Sequence, residues 1–277
     1  MDRSDGYEGE LDARYVHGYD RRENERLQDQ ATTLVELLHG DTAYPAGSSV
    51  LEVGCGVGAQ TLTLAANSPD AAITAIDISA ASVAEAERRV TAAGFTNVRF
   101  AQADIFALPY APGSFDGIFV CFVLEHLPRP VEALRALRRY LRPGGTITVI
   151  EGDHGSTYFH PESEAARAAI GCQVELQRRA GGDAMIGRAL YPLLVEAGYS
   201  APRVSPRMVY VDGSRPDLID GFTKRTFTAM IAGVREPALA AGLTDAATFD
   251  RGIRDLHRTA EPDGVFCYTF FKAVAGQ

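Results

Sequence analysis

Hydrophobic positions follow two different rhythms along this chain. Between residues 49 and 151, short apolar runs without helical periodicity alternate with amphipathic stretches. Ser49–Val53, Ala72–Ile76, Val98–Ala103, Phe115–Cys121 and Thr146–Glu151 read as strands buried on both faces of a sheet. Ala59–Asn67, the stretch from Ser79 to Gly94 and Val131–Leu141 read as helices, with Ser68-Pro69, Gly94 and Arg142-Pro143-Gly144-Gly145 as their stops. That alternation predicts an α/β fold of parallel βαβ units with right-handed crossovers. Upstream, Asp20 caps a predicted helix with Leu27, Ala31, Leu34 and Leu38 on one face and Gly40 as its end. Beyond Glu151 the rhythm changes. Gly152–Pro161 reads as a loop, Glu162–Ala180 and Gly187–Ala197 as helices, and Val204–Val211 as a strand. Residues 213–262 are expected to be mostly helical, and Val265–Ala273 closes as an aromatic-rich strand. The last two strands are expected to add at one sheet edge, with room for an antiparallel member.

The ends of the five early strands concentrate the chemistry. Gly54, Gly56 and Gly58 follow the first strand and lead into a helix at Ala59, whose free N–H groups face whatever lies over the glycines. Ligands of such sheets bind outside the strand C-termini. Those termini carry Glu52, Asp77, Asp104, Cys121 and Glu151, four acids among five residues. A dinucleotide site is the rival reading, because Gly54-x-Gly56-x-x-Ala59 fits the looser fingerprint and Asp77 stands at a suitable distance for a ribose. A pyrophosphate is disfavoured beside Glu52, whereas a cationic ligand gains from the carboxylates. S-adenosylmethionine, with its ammonium and sulfonium, is such a cation. In that arrangement Asp77 accepts from both ribose hydroxyls and Asp104 from the adenine amine. Ile78 and Ile105 lie against the ring faces, and backbone near Gly54 and Cys121 holds the methionine end.

Composition narrows the class further. With 277 residues, 46% of them apolar and 23% charged, the chain can fill a substantial core. A net charge of −9 argues against a nucleic-acid partner, since such proteins carry basic stripes. Cys55, Cys121, Cys172 and Cys267 are scattered and form no C-x-x-C pair, which predicts buried free thiols in a reducing compartment. The first dozen residues are acidic and polar, unlike a signal peptide. The longest apolar run, Ile118–Leu124, is too short to span a bilayer. The expectation is a cytoplasmic protein without membrane or nucleic-acid partners.

Taken together, E-V-G-C-G-V-G, Asp77, A-D-I, F-D-G-I-F-V-C-F-V-L-E-H-L and L-R-P-G-G-T-I-T-V-I-E occur in the order that resembles class I S-adenosylmethionine-dependent methyltransferases. The resemblance runs from about residue 48 to 151, and the L-R-P-G-G element is its most specific part. It implies a Rossmann-like seven-stranded sheet ordered 3-2-1-4-5-7-6 with the seventh strand antiparallel. Residues 1–47 would then form a helical N-terminal lid on a domain of residues 48–277, with helical insertions at about 155–198 and 213–262. Cofactor contacts are expected from Tyr15, Arg26, Glu52, Gly54, Gly56, Gln60, Asp77, Ile78, Asp104, Ile105 and Cys121. The flanking phrases Y-V-H-G-Y, E-G-D-H-G-S-T-Y-F-H-P, G-G-D-A-M-I-G-R and F-C-Y-T-F-F-K are similar to bacterial small-molecule methyltransferases, including actinobacterial enzymes that methylate indole carbon 3. That likeness implies an aromatic small-molecule acceptor.

For the reaction itself, Glu151, Asp153 and His154 follow the fifth strand and Tyr19 lies in the expected lid, so these four are the catalytic candidates. Carboxylates there would stabilise positive charge growing on the acceptor, and a histidine is the natural base near neutral pH. Glu125 and His126 after the fourth strand are weaker candidates, since that phrase is often structural. A metal site from Asp153, His154 and His160 is set aside, because the ligand set does not match metal-dependent O-methyltransferases. O- or N-methylation of another small metabolite, a non-catalytic cofactor-binding protein and an NAD-dependent enzyme stay open as alternatives. The lid also offers a place for homodimer contacts.

Overall fold

The computed structural model describes residues 33–277. Tyr15, Tyr19, Arg26 and the start of the helix expected from Asp20 lie outside the described residues, as does most of the expected lid. Its end is present as α1 (Val35–His39), closed by the Gly40 N–H donating to the Glu36 carbonyl at 3.1 Å.

The described chain divides into two compact units. One comprises Val35–Gly152, Ile186–Arg207 and Phe271–Gln277; the other comprises residues 33–34, Asp153–Met185 and Met208–Phe270. In the first, β1 (Ser49–Val53), α2 (Ala59–Asn67), β2 (Ala72–Asp77), α3 (Ala80–Ala92), β3 (Val98–Gln102), β4 (Phe115–Cys121) and α4 (Pro130–Arg138) follow one another much as the apolar pattern predicts. Ser79 caps α3 by accepting from the Ser82 N–H at 3.2 Å, and Gly94 takes the left-handed conformation beyond its end (φ 85°). Three long strands complete the set: β5 (Leu141–His160), β6 (Ser200–Val211) and β7 (Val265–Gly276).

Seven strands form one sheet in the order β3-β2-β1-β4-β5-β7-β6, with one strand antiparallel. β1 pairs in parallel with β2 and β4, β2 with β3, and β4 with β5. The antiparallel member is β7. Ser200 bonds the Gln277 carbonyl while Ser205 bonds that of Lys272, so β6 advances as β7 retreats. The interior of the first unit holds Leu51, Val53, Ile118, Val120, Leu134, Leu137, Ile147 and Val149, all within 4% exposure. Leu190 and Leu194 of α6 (Leu190–Glu196) join this core.

Two stretches differ from the sequence reading. Leu141 already pairs with Phe115, while Thr146 pairs with Gly117, so Arg142–Gly145 bulge out of a strand instead of ending a helix. Gly144 takes φ 82° there, which only glycine does without strain. Gly152–Pro161 was expected to loop, yet β5 continues to His160. The Gly, Asp and Ser residues that suggested a loop are accommodated because Glu151 to His154 are all buried. The cysteine expectation holds: all four thiols are free and buried.

The second unit is helical around an aromatic interior. α5 (Glu164–Arg179), capped by Ser163, packs on α9 (Ala246–Arg258), where a Cβ at Gly252 would collide with the Ala165 carbonyl. Ile219–Thr228 is a π-helix, and its Thr226 hydroxyl donates to the Gly221 carbonyl five residues back at 2.7 Å. α7 (Ala229–Gly233) and α8 (Arg235–Ala240) lead from it to α9. Phe222, Phe227, Phe266, Tyr268 and Phe270 stack against one another, with ring centroids as close as 4.7 Å.

Candidate functional site

At the end of β1 the chain turns sharply. Gly54 and Cys55 N–H groups both donate to the Ile76 carbonyl, at 2.8 and 2.9 Å, which bends the backbone back over β2. A Cβ at Gly54 would collide with Val123 Cγ2, and the residue sits at φ 72°. At Gly56 (φ 50°) a Cβ would meet nothing within 4 Å. The two glycines therefore serve different ends. Gly54 lets the turn after β4 press close, whereas Gly56 leaves backbone bare toward open space.

Asp77 clamps this turn from the end of β2. Its Oδ2 accepts from the Gly56 N–H at 2.8 Å and its Oδ1 from the Ser79 N–H at 2.9 Å. Burial raises its carboxyl above the usual range, against the pull of those backbone donors. Each oxygen keeps a second lone pair for a ligand hydroxyl. Asp104, half-buried after β3, accepts from the Phe106 N–H at 2.9 Å and so holds its own turn. Ile78 and Ile105 are half-buried beside these two acids.

Glu52 is 2% exposed, and its Oε2 has no hydrogen-bond partner. Burial, with a smaller push from the Asp77 charge, raises its carboxyl to about 7, the Thr61 hydroxyl offsetting part of the effect. A buried carboxyl oxygen lacking a partner is costly, and a cationic ligand would relieve that cost. Cys121, at the end of β4, is 7% exposed, and burial followed by the Glu151 and Glu52 charges pushes its thiol well up. Gln60 opens α2 beside His39, whose ring burial and the Lys272 charge lower to about 4, so His39 is neutral near pH 7.

Glu151 stands apart from the other acids. It is fully buried, and its Oε1 accepts from the Val123 and Leu124 N–H groups at 3.1 and 2.8 Å. These belong to the turn between β4 and the short 3-10 helix Leu124–His126. Burial and then the Glu125 charge push its carboxyl well above the usual range. Sequence reasoning gave no warning of this role. The available signal was an acid closing the apolar run T-I-T-V-I-E, which burial obliges to find donors.

Lys272 was not singled out in the sequence either. It is 3% exposed on β7, and its ammonium donates to Asp41 Oδ1, Thr42 Oγ1 and the Leu38 carbonyl. Arg207 of β6 also reaches Asp41 Oδ2. Together they bind the end of α1 to the sheet, with His39 against Phe119 at 5.8 Å.

In the second unit, Asp153 and His154 are 2% and 7% exposed. Asp153 Oδ1 accepts from the Gly155 N–H at 3.0 Å. His154 Nδ1 lies 3.0 Å from the Tyr268 hydroxyl, and its ring packs on Tyr268 and Phe227. The backbone N–H of His154 donates to the Ala184 carbonyl at 3.0 Å.

The first unit thus brings Glu52, Gly54, Gly56, Asp77, Ile78, Asp104, Ile105 and Cys121 to neighbouring strand ends, while Asp153 and His154 belong to the other unit. Residues 50–145 match the family model described as a methyltransferase domain, all within the first unit. That stretch is similar to a methyltransferase domain, and the rest of the chain lies outside the match. A 37.1 kDa protein of transposon TN4556 from Streptomyces fradiae is 37% identical over 198 residues, 70% of this chain and 56% of that one. The 27-O-demethylrifamycin SV methyltransferase of Amycolatopsis mediterranei is 34% identical over 134 residues, 48% of this chain and 49% of that one. The chain spans about half the length of the curated relatives it matches. Among solved structures, the [4+2]-cyclase SpnF superposes with a TM-score of 0.52 at 23% identity, over 87% of this chain and 80% of that one. Such a likeness speaks for the fold alone.

S-adenosylmethionine is the cofactor of this domain class, and the described residues fit it. The bare backbone at Gly56 leaves room for a ligand, and the unpartnered buried oxygen of Glu52 agrees with a cationic one.

Proposed function

We propose that the protein transfers a methyl group from S-adenosylmethionine to a small aromatic acceptor, in the finest reading to carbon 3 of an indole in a tryptophan-derived metabolite. The observation that carries the donor half is the Asp77-clamped glycine turn within the matched domain. When bound, the cofactor supplies an electrophilic methyl on a sulfonium centre. Asp77 orients the ribose, Asp104 the adenine edge between Ile78 and Ile105, and Glu52 faces the cationic end. Gln60 and backbone near Cys121 complete the methionine side. Tyr15 and Arg26, outside the described residues, are proposed for the same ligand.

The acceptor half rests on His154 and Asp153. As the new carbon–carbon bond forms, the indole acquires positive charge that a carboxylate stabilises. The proton released when the ring N–H is lost, or when a neighbouring amide nitrogen closes onto the ring, passes to His154 Nε2. Tyr268 at Nδ1 holds the imidazole in place. The protein otherwise supplies alignment and exclusion of water. Tyr19 is proposed to close over the acceptor.

O-methylation is the second reading, favoured by the Amycolatopsis relative, whose name specifies an O-methyl transfer. Incubation with the donor and a panel of tryptophan-containing cyclic dipeptides, indole amines and phenols decides between them. A mass gain of one methyl with a carbon-bound signal in carbon NMR supports the first reading, and an oxygen-bound signal the second. Production of S-adenosylhomocysteine with none of the panel removes the acceptor assignment and leaves the donor site standing.

A further inference from the structure

Like Asp77, Glu151 reaches with its carboxyl across to the turn after a neighbouring strand, but from a fully buried position. Its Oε1 accepts two successive backbone N–H groups, from Val123 and Leu124, at 3.1 and 2.8 Å. These donors open the 3-10 helix Leu124–His126, where helix geometry supplies no internal acceptor. The same turn begins with Phe122 at φ 58°, a conformation that costs a non-glycine residue about 1–2 kcal/mol. It holds Val123 so close over Gly54 that a Cβ there would collide with Val123 Cγ2. A strained turn pressed onto a ligand-facing loop persists only when its surroundings hold it there.

We propose that Glu151 is a positioning residue: it caps the Phe122–Glu125 turn from below and so fixes Val123 against Gly54, setting the donor-binding loop. The inference rests on the donor-site reading and departs from the sequence expectation that Glu151 meets the acceptor. A cap needs an acceptor oxygen at this place and does not need a charge. Burial and the Glu125 charge, which push the carboxyl well above its ordinary range, agree with a neutral acid here. A carboxamide should then replace it.

The test is calorimetric titration of the full chain with S-adenosylmethionine and S-adenosylhomocysteine, alongside hydrogen exchange at the Val123 and Leu124 amides. Glu151→Gln keeps one acceptor oxygen, and its affinity should stay within about threefold of the parent, with both amides still protected. Glu151→Leu removes the acceptor, and affinity should fall at least tenfold, about 1.4 kcal/mol, with both amides exchanging faster. If Glu151→Leu does not fold, Glu151→Asn, one methylene shorter, takes its place with the same expected loss. A Glu151→Gln protein as weak as the leucine or asparagine variant would show that charge matters and overturn the proposal. So would a leucine or asparagine variant that binds like the parent. Failure of the parent to bind either compound would instead remove the donor-site reading itself.

Discussion

The two units solve the problem of placing chemistry in opposite ways. In the first, the proposed donor site hangs on backbone: two glycines, a carboxylate clamp on the Gly56 N–H and acids at the ends of adjacent parallel strands. In the second, the proposed base His154 has its ring held by side chains, a hydroxyl at Nδ1 and aromatic rings around it. Backbone sites depend on conformation that one residue type permits, so a single added methyl can destroy them. Side-chain sites tolerate packing changes but lose function with one polar atom. The family match confines itself to the first kind, since it covers residues 50–145 alone.

The sharpest way to break that contrast is Gly54→Ala. Its φ of 72° alone adds about 1–2 kcal/mol of backbone strain, and the collision with Val123 comes on top of that. Donor affinity should fall at least a hundredfold, about 2.7 kcal/mol, measured by calorimetry. Gly56→Ala carries backbone strain of the same order at φ 50° but no collision, since its Cβ meets no protein atom within 4 Å: the fold should survive while the donor is displaced. Equal donor binding in both variants and the parent would show that the turn is not the donor's cradle.

His154→Ala addresses the other unit. Turnover should drop about a hundredfold, within the range for loss of a general base, while donor affinity stays unchanged. A parallel fall in donor affinity would place His154 in the donor site and erase the division drawn above. Tyr268→Phe is milder. It keeps the ring packed among Phe222, Phe227 and Phe270 and removes only the hydroxyl at His154 Nδ1. A turnover loss of about tenfold, with donor affinity intact, is expected for one lost orienting hydrogen bond. Parent-like turnover would leave the hydroxyl without a part in the reaction.

The same contrast governs what the sequence reveals. Strand ends in a parallel sheet are legible because apolar runs mark the strands and the next polar residue marks the mouth, which is how Asp77 and Asp104 come forward, while Glu52 stands out as an acid inside such a run. The distinct duties of Gly54 and Gly56 are not legible, because they depend on whether Val123 or open space faces the missing Cβ. Tyr268 escapes for another reason. It meets His154 across 114 positions of sequence, and no periodicity links residues so far apart. The extension of β5 past Glu151 was hidden by turn-forming residues whose local preference burial overrides. Lys272 looked like an ordinary polar ending to an aromatic strand, and only the fold supplies Asp41 and Thr42 as its partners.

The smallest effect concerns the ring of acids itself, because a buried carboxyl is not an anion by default. Glu52 rises from an ordinary 4.5 to about 7 in the folded chain, chiefly through burial. Between those values the folded state holds a proton that the unfolded state has released. Stability gained from the neutral acid is therefore fully present at low pH and is lost as pH climbs through that window. A cationic donor favours the ionised form, so its binding must draw this proton off and should strengthen as pH rises from 6 to 8. The expected gain is a few-fold, with proton release visible as a buffer-dependent enthalpy near pH 7. Glu52→Gln should flatten both signals while leaving the His154 and Tyr268 effects as they are. An unchanged pH slope in that variant would mean that the cation is met by another group, and that the buried oxygen of Glu52 serves the strand rather than the ligand.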